Sequence, residues 1–270
     1  MRIVTLIEDA NGHPQCCSEH GFSVYVETEK HKVLMDTGAT SAFLGNAERL
    51  TVPLDQVDTV ILSHGHYDHS GGLLDFCRLN SKAKIYMQQS ALGDYYHGER
   101  YIGIDKSIRK LPNVHFLLGD YRIDEEISLF TDIKGRRFYP QSNLQLSQKV
   151  NGIHVQDLFE HEQCLVIHSQ GHEVLLSGCA HNGILNILDR YQQIYHSLPD
   201  HVISGFHMMK KTEYTQEEIQ TICDTARELK KYPSRFYTGH CTGQKAIDLM
   251  KPIMGDQLTA IYSGCEWEIS

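Results

Sequence analysis

Residues 63–70 read SHGHYDHS, which places His64, His66, Asp68 and His69 within six positions, directly after the apolar run VDTVILS. Imidazole nitrogens and a carboxylate oxygen make a donor set suited to zinc, iron or manganese. A strand that delivers the chain into such a loop lets these side chains splay as two pairs aimed at adjacent points. A polar loop capping the next helix, with Asp68 or Ser70 as the cap, accounts for one of these residues but not for three histidines and an aspartate together.

One loop cannot complete a metal site. Further donors occur in three similar settings: SGCAHNG with Cys179 and His181, SGFHMM with His207, and YTGHCTG with His240. Each follows a β-type run and a glycine, and a rigid sheet holds ligands at its strand ends more accurately than loops do.

The runs that must carry these residues are short and β-rich at first. RIVTLIE (2–8) precedes FSVYVET (22–28) and KVLMDTG (32–38), whose tight EKHK turn predicts a hairpin. Residues 41–50 have helical spacing, 57–63 read as a strand, GGLLDFCRLN as a helix and 82–89 as a strand. From about 90 to 145 periodicity is weak, and that segment is expected to be loop-rich and to face the substrate. Strands are predicted again at 163–169, 173–179 and 201–206, with a helix at ILNILDRYQQIYHSL between the last two. Residues 215–232 form the clearest helix, opened by a capping box of Thr215 and Glu218 and striped by Ile219, Ile222, Ala226 and Leu229. RFYTGHCTG supplies a last strand and its loop.

The HxHxDH loop after a strand, the MDTG segment before it and the later glycine-led strand ends resemble the metallo-β-lactamase superfamily. The segments LIED, EHGFSVYVE, VLMDTGAT, LLSGCAHNGILNI, SGFH and YTGHCTG are similar to a subfamily of metal-dependent hydrolases related to a dihydropterin aminobenzene-phosphate synthase. The resemblance implies an α/β fold, an αββα four-layer sandwich, formed by residues 1–270 as one domain. It also implies one or two ions, Zn2+ with iron or manganese as alternatives: His64 and His66 on the first, Asp68, His69 and His240 on the second. Where many relatives place a bridging aspartate, this chain has Cys179, with His181 two residues on. His181 is favoured as the third ligand of the first ion, and Cys179 is left open between a ligand and a packed thiol. His207 is implied beside the metals, to protonate a leaving group or grip a phosphate. Asp36 is expected to fix the tautomer of a ligand imidazole. Glu19, His20, His161 and Glu162 are weaker candidates near the site.

The expected activity is that of a metal-dependent hydrolase acting on a small anionic ester, lactone or phosphoester, with Asp68 binding metal and orienting the nucleophile. Arg100, Lys106 and Arg109 are candidates to hold the anion. A synthase-like transferase and a non-catalytic metal or ligand sensor are the alternatives. The chain has 25 basic and 34 acidic residues, a formal charge of −9, and no basic stripe, which argues against nucleic acid as a partner. No stretch approaches the roughly 20 apolar residues of a membrane span. Nor does the start of the chain resemble an export signal, so a cytoplasmic location with reduced thiols is expected for its eight cysteines. Self-association is left open.

Overall fold

The computed structural model describes residues 1–270. Two mixed seven-stranded sheets face each other. The first runs, in spatial order, Glu266–Glu268, Arg2–Ile7, Ser23–Glu27, Lys32–Met35, Thr59–Ile61, Lys84–Gln88 and Val114–Leu117. The second runs Leu258–Ala260, Arg235–Thr238, His201–Ile203, His172–Leu176, Cys164–Ser169, Ile127–Phe130 and Tyr121–Arg122. Each sheet is antiparallel on one side and parallel on the other. Pairing is parallel from Lys32–Met35 out to Val114–Leu117, and from His172–Leu176 out to Leu258–Ala260.

The two-residue period of a strand decides which side chains meet. Val24, Val26, Val33, Met35 and Ile61 point between the sheets, against Leu165, Ile167, Val174 and Leu176. Their neighbours Tyr25, Leu34 and Val60 point out, beneath Phe43 and Ala47 of helix Ala42–Arg49 and Leu73 and Phe76 of helix Leu73–Leu79. On the other side Leu175, Val202 and Phe236 lie beneath helices Ile184–Tyr195, Gln216–Leu229 and Gln244–Met254. This is the αββα arrangement. Each large apolar side chain removed from water contributes about 1.5–3 kcal/mol, and strands buried on both faces account for the nearly continuous apolar runs of the sequence.

The helix predicted at 215–232 spans Gln216–Leu229 and opens on the expected capping box: Glu218 N donates to Thr215 Oγ1 at 3.2 Å and Thr215 N to Glu218 Oε2 at 2.7 Å. The 90–145 segment is rich in loops and short turns but also contributes strands to all three sheets. Tyr95–His97 and Arg100–Tyr101 join Leu146–Val150 and Ile153–Gln156 in a small antiparallel sheet, while Val114–Leu117 and Ile127–Phe130 belong to the two main sheets. Exposure at the edge explains the weak pattern, since His115 and Phe116 are both exposed. The helix Gln244–Met254 and the strands Leu258–Ala260 and Glu266–Glu268 were not anticipated, and Pro252 inside that helix obscures its period. No helix is long and apolar enough to cross a membrane.

His31 ties the two sheets together at their turns. Its Nδ1 lies 2.9 Å from Asp58 Oδ1 and its Nε2 lies 2.7 Å from Asp124 Oδ2. Burial opposes charge on this ring, but the two carboxylates outweigh it and raise its pKa above 6.5. A raised folded-state pKa means that the native chain holds the proton more tightly. The stabilisation is therefore complete below about pH 6.5 and is lost as pH rises through the raised value. Replacing His31 with Gln should flatten this part of the stability profile, measured as urea midpoints across neutral pH. Parallel profiles for parent and variant would remove His31 from that role.

Candidate metal centre

The candidate donors stand at the carboxyl ends of parallel strands from both sheets. Asp36 follows Lys32–Met35, His64 follows Thr59–Ile61, Cys179 follows His172–Leu176, His207 follows His201–Ile203 and His240 follows Arg235–Thr238. Parallel strands deliver these ends to one edge of the sandwich. The chain turns sharply there: Asp36, Ala180, His207 and His240 have φ of +59°, +49°, +50° and +45°. Such left-handed backbone is uncommon outside glycine, and it persists only where the surroundings hold it. After His66, the single helical turn Tyr67–Ser70 carries Asp68 and His69 into the same buried space.

The rings of His64, His66 and His181 adjoin, the donor atoms of His64 and His181 grouping with Cys179 and those of His66 with Asp157 and His161. Their ring centroids are 4.6 Å apart for His64 and His66, and 4.8 Å apart for each of these with His181. The protons on these rings can be assigned from the hydrogen-bond network. Ser63 Oγ donates to Asp36 Oδ2 at 2.6 Å and so accepts from His64 Nδ1 at 2.8 Å. Asn143 Nδ2 donates to the carbonyl of His181 at 2.6 Å, which turns Asn143 Oδ1 toward His181 Nδ1 at 3.1 Å to accept its proton. Both rings are thus left with an unprotonated Nε2, and these two nitrogens face each other at 3.3 Å. Burial, with the neighbouring imidazoles, holds both rings well below the usual histidine range, so a proton is not retained between them. His66 Nε2 is buried without any partner, and burial lowers that ring to about 3.

Asp68, His69 and His240 form a second group together with Cys179. Asp36 Oδ2 accepts from His69 Nδ1 at 2.6 Å, leaving His69 Nε2 to face Cys179 Sγ at 3.2 Å and Asp68 Oδ2 at 3.8 Å. Asp9 Oδ1 accepts from His240 Nδ1 at 2.6 Å, and the buried His240 Nε2, 3.5 Å from Asp68 Oδ2, makes no hydrogen bond. Burial opposes charge on Asp68, but His69, His240 and His66 hold its carboxyl well below the usual range. Neutral imidazoles at His64, His66 and His181, an ionised carboxylate and two orphaned buried nitrogens fit a divalent cation; at His240, which Asp68 and Asp9 raise well above the usual range against burial, the cation would displace the Nε2 proton.

Cys179 belongs to three of the donor groups: with His64 and His181, with Asp68, His69 and His240, and with His207 and Cys241. Its sulfur is therefore central. Only a glycine fits at 178, since a Cβ there would overlap Ser63 Oγ and crowd Asp36. His207 stands beside His181, ring centroids 4.1 Å apart.

His161 lies with His66 and Asp157, their donor atoms within 4.8 Å of one another, and Glu162 fixes a loop of the site. His161 Nδ1 accepts from Gly65 N at 2.9 Å and its Nε2 meets Asp157 Oδ2 at 3.1 Å, so both nitrogens are used. Buried Glu162 accepts from His181 N at 2.6 Å and from Asn182 N and Nδ2, both at 2.9 Å, which fixes the loop that carries His181. Glu19 binds the backbone of Ala39 and Thr40 at 3.0 Å and serves the turn after Asp36. His20 does approach the site, its Nδ1 2.9 Å from Asp9 Oδ2 and its Nε2 3.6 Å from Asp68 Oδ2. Asp9, Glu8, Asn143, Asp157 and Cys241 were not singled out from the sequence. Glu8, raised to about 7 by burial, accepts from the backbone of His240 and from Ala10 N at 2.5 Å. The LIED segment was the signal for Glu8 and Asp9, and the TGHCTG segment for Cys241.

Comparison with known proteins agrees with this fold. Residues 19–142 match the family model of the metallo-beta-lactamase superfamily. The crystal structure of Tm1679, a metal-dependent hydrolase of the beta-lactamase superfamily, superposes with a TM-score of 0.83 at 33% identity, over 100% of this chain and 99% of that one. An uncharacterized protein of Methanocaldococcus jannaschii is 28% identical over 91% of this chain and 92% of its own length. The 7,8-dihydropterin-6-methyl-4-(beta-D-ribofuranosyl)-aminobenzene-5'-phosphate synthase of the same organism is 26% identical over 98% of this chain and 95% of its own. With the sandwich, its histidine-rich edge and a 33% identical relative matched along its whole length, the chain belongs to the metallo-β-lactamase superfamily.

Proposed function

We propose that this chain is a zinc-dependent hydrolase of a small anionic ester, lactone or phosphoester. The observation that carries the reading is the pair of unprotonated Nε2 atoms of His64 and His181 at 3.3 Å. Two lone pairs facing each other out of water repel, and a cation between them turns that repulsion into two bonds. His64, His66 and His181 would hold one ion, and Asp68, His69 and His240 a second, with the Cys179 sulfur next to both. A zinc ion there would lower the pKa of a bound water to about 7 and polarise an acyl or phosphoryl oxygen.

The chain's own residues do the rest. Asp68, ionised and buried, has an oxygen facing His69 and His240 and can orient an attacking water through a hydrogen bond. Asp36, Asn143 and Asp9 keep the ring nitrogens opposite the centre protonated, which turns their partners inward. Two guanidiniums flank the edge. Arg100 donates to the hydroxyl of Tyr67 at 2.7 Å, and Arg136 stacks over Tyr139, 4.8 Å from the ring centroid, within 3.4 Å of Asn182 Oδ1. Tyr67 and Asn182 each adjoin a donor, so an anion at the centre would be within the field of both. Lys106 is discounted for this role because its ammonium is used by the carbonyls of Leu92 and Gly93 and by Asp94.

The synthase relative supports a second reading, a transferase that condenses a pterin pyrophosphate with an aminobenzene-type nucleophile and releases pyrophosphate. The two differ in whether water alone suffices. Zinc-loaded protein offered bis(p-nitrophenyl) phosphate and an acyl lactone should turn over at least one of them without a second substrate; inertness toward both would favour the transferase.

Two substitutions test the assignment of ligands. His66→Ala should lower zinc content and hydrolysis together, and a variant that keeps both would place His66 outside the centre. Asp36→Asn retains the shape but not the full acceptor capacity for His69 and Ser63, and zinc affinity should fall by about 10- to 100-fold in competition with a chromophoric chelator.

A further inference from the structure

Among the donor groups left unused by the hydrolytic assignment, one holds two sulfurs and an imidazole. The ligand atoms of Cys179, His207 and Cys241 lie within 4.8 Å of one another. Both cysteines are almost completely buried, and His207 Nδ1 is buried with no hydrogen-bond partner. An imidazole nitrogen placed out of water without a partner costs free energy that packing alone does not return.

The loops that present these residues are tied to one another. Gly205 N donates to Gly178 O at 2.8 Å, Met209 N to Cys241 O at 2.7 Å, Phe206 N to Thr242 Oγ1 at 2.8 Å, and Ser142 Oγ to His207 O at 2.8 Å. His207 is held at a φ of +50°, and a Cβ at Gly205 would overlap Cys241 Sγ. The backbone thus keeps space for a sulfur atom and turns an imidazole toward it. Two sulfurs and one imidazole nitrogen are the protein ligands of a tetrahedral site with one position open. Soft sulfur donors select thiophilic ions over magnesium, calcium or manganese.

We propose that Cys179, His207 and Cys241 form a further cation position for a thiophilic divalent ion, sharing the Cys179 sulfur with the Asp68, His69 and His240 donors. Loading the position displaces to solvent whatever protons the two sulfurs hold and leaves two thiolate bonds to the ion. Neither sulfur is oxidised.

Cadmium is the probe, because its bonds to thiolate absorb in the ultraviolet. The full chain, stripped with chelator and kept reduced without oxygen, is titrated with Cd2+, and bound cadmium is counted by equilibrium dialysis. Cys241→Ser and His207→Gln should each bind one equivalent less than the parent, and Cys241→Ser should also lose charge-transfer absorbance. Cys77→Ser, which alters a thiol on a distant helix, should match the parent. Circular dichroism checks that each variant is folded, and Cys241→Ala replaces Cys241→Ser if the latter is not. Parental stoichiometry and absorbance in a folded Cys241 variant would overturn the proposal, as would absorbance that vanishes with Cys179→Ser but is indifferent to Cys241. The outcome is separable from hydrolysis: a parent without esterase or phosphodiesterase activity that still loses an equivalent on Cys241→Ser would leave this position standing and remove the hydrolase reading.

Discussion

Imidazole nitrogens held face to face in a space from which water is excluded are the constraint on which the rest of this edge of the molecule depends. Such an arrangement is unfavourable in isolation, and the chain enforces it from outside. Asp36 takes the Nδ1 proton of His69, Ser63 that of His64, Asn143 that of His181 and Asp9 that of His240. With the outer nitrogen of each ring donating, the inner one is a lone pair whenever the ring is neutral; burial keeps His64 and His181 so, whereas against burial Asp68 and Asp9 raise His240 well above the usual range, and a cation there must displace its second proton. Asp36 acts twice, because the carboxylate that orients His69 also accepts from the backbone and hydroxyl of Ser63 and, through that hydroxyl, orients His64. A single buried carboxylate therefore sets the tautomers of two rings assigned to different ions.

The sandwich makes this possible by geometry. Each sheet carries a parallel half, and parallel strands end together. Asp36 and His64 arrive from the first sheet, and Cys179, His207 and His240 from the second. A core of valine, isoleucine and leucine between the sheets holds the two sets of ends in register. The backbone strain at Asp36, Ala180, His207 and His240 is confined to the turns at those ends. Stable packing in the middle thus sustains an arrangement at the edge that would not form alone.

Much of this was legible because the signals are local. The HxHxDH loop sits beside its strand, and Cys179, His181, His207 and His240 each follow an apolar run and a glycine, so their convergence could be expected once the runs were read as strands. The outer partners were harder to see. Asn143 lies in a short 3-10 turn, Gln141–Gln145, before the strand Leu146–Val150, and it meets His181 only because that turn folds back over the edge. Glu162 read as a potential ligand, since a buried glutamate near histidines looks the same in sequence whether it binds an ion or three N–H groups. Strands at sheet edges were diluted by exposed residues, as at Val114–Leu117, and Pro252 concealed a helix.

Sulfur at position 179 changes the character of the centre more than its geometry. A carboxylate at that place could spread two oxygens over two ions, whereas a thiolate bridges through one atom and prefers a softer cation. Burial and the neighbouring Cys241 sulfur push the Cys179 thiol well above its usual range. At Cys241 burial is outweighed by Cys179, His207 and His240, and that thiol is drawn well below it. The two sulfurs titrate as a pair, and a cation bound by the central one would displace whatever proton the pair holds there. On the proposed assignment, the metal preference of the edge would therefore depend on Cys241 as well as on the histidines that first draw attention to it.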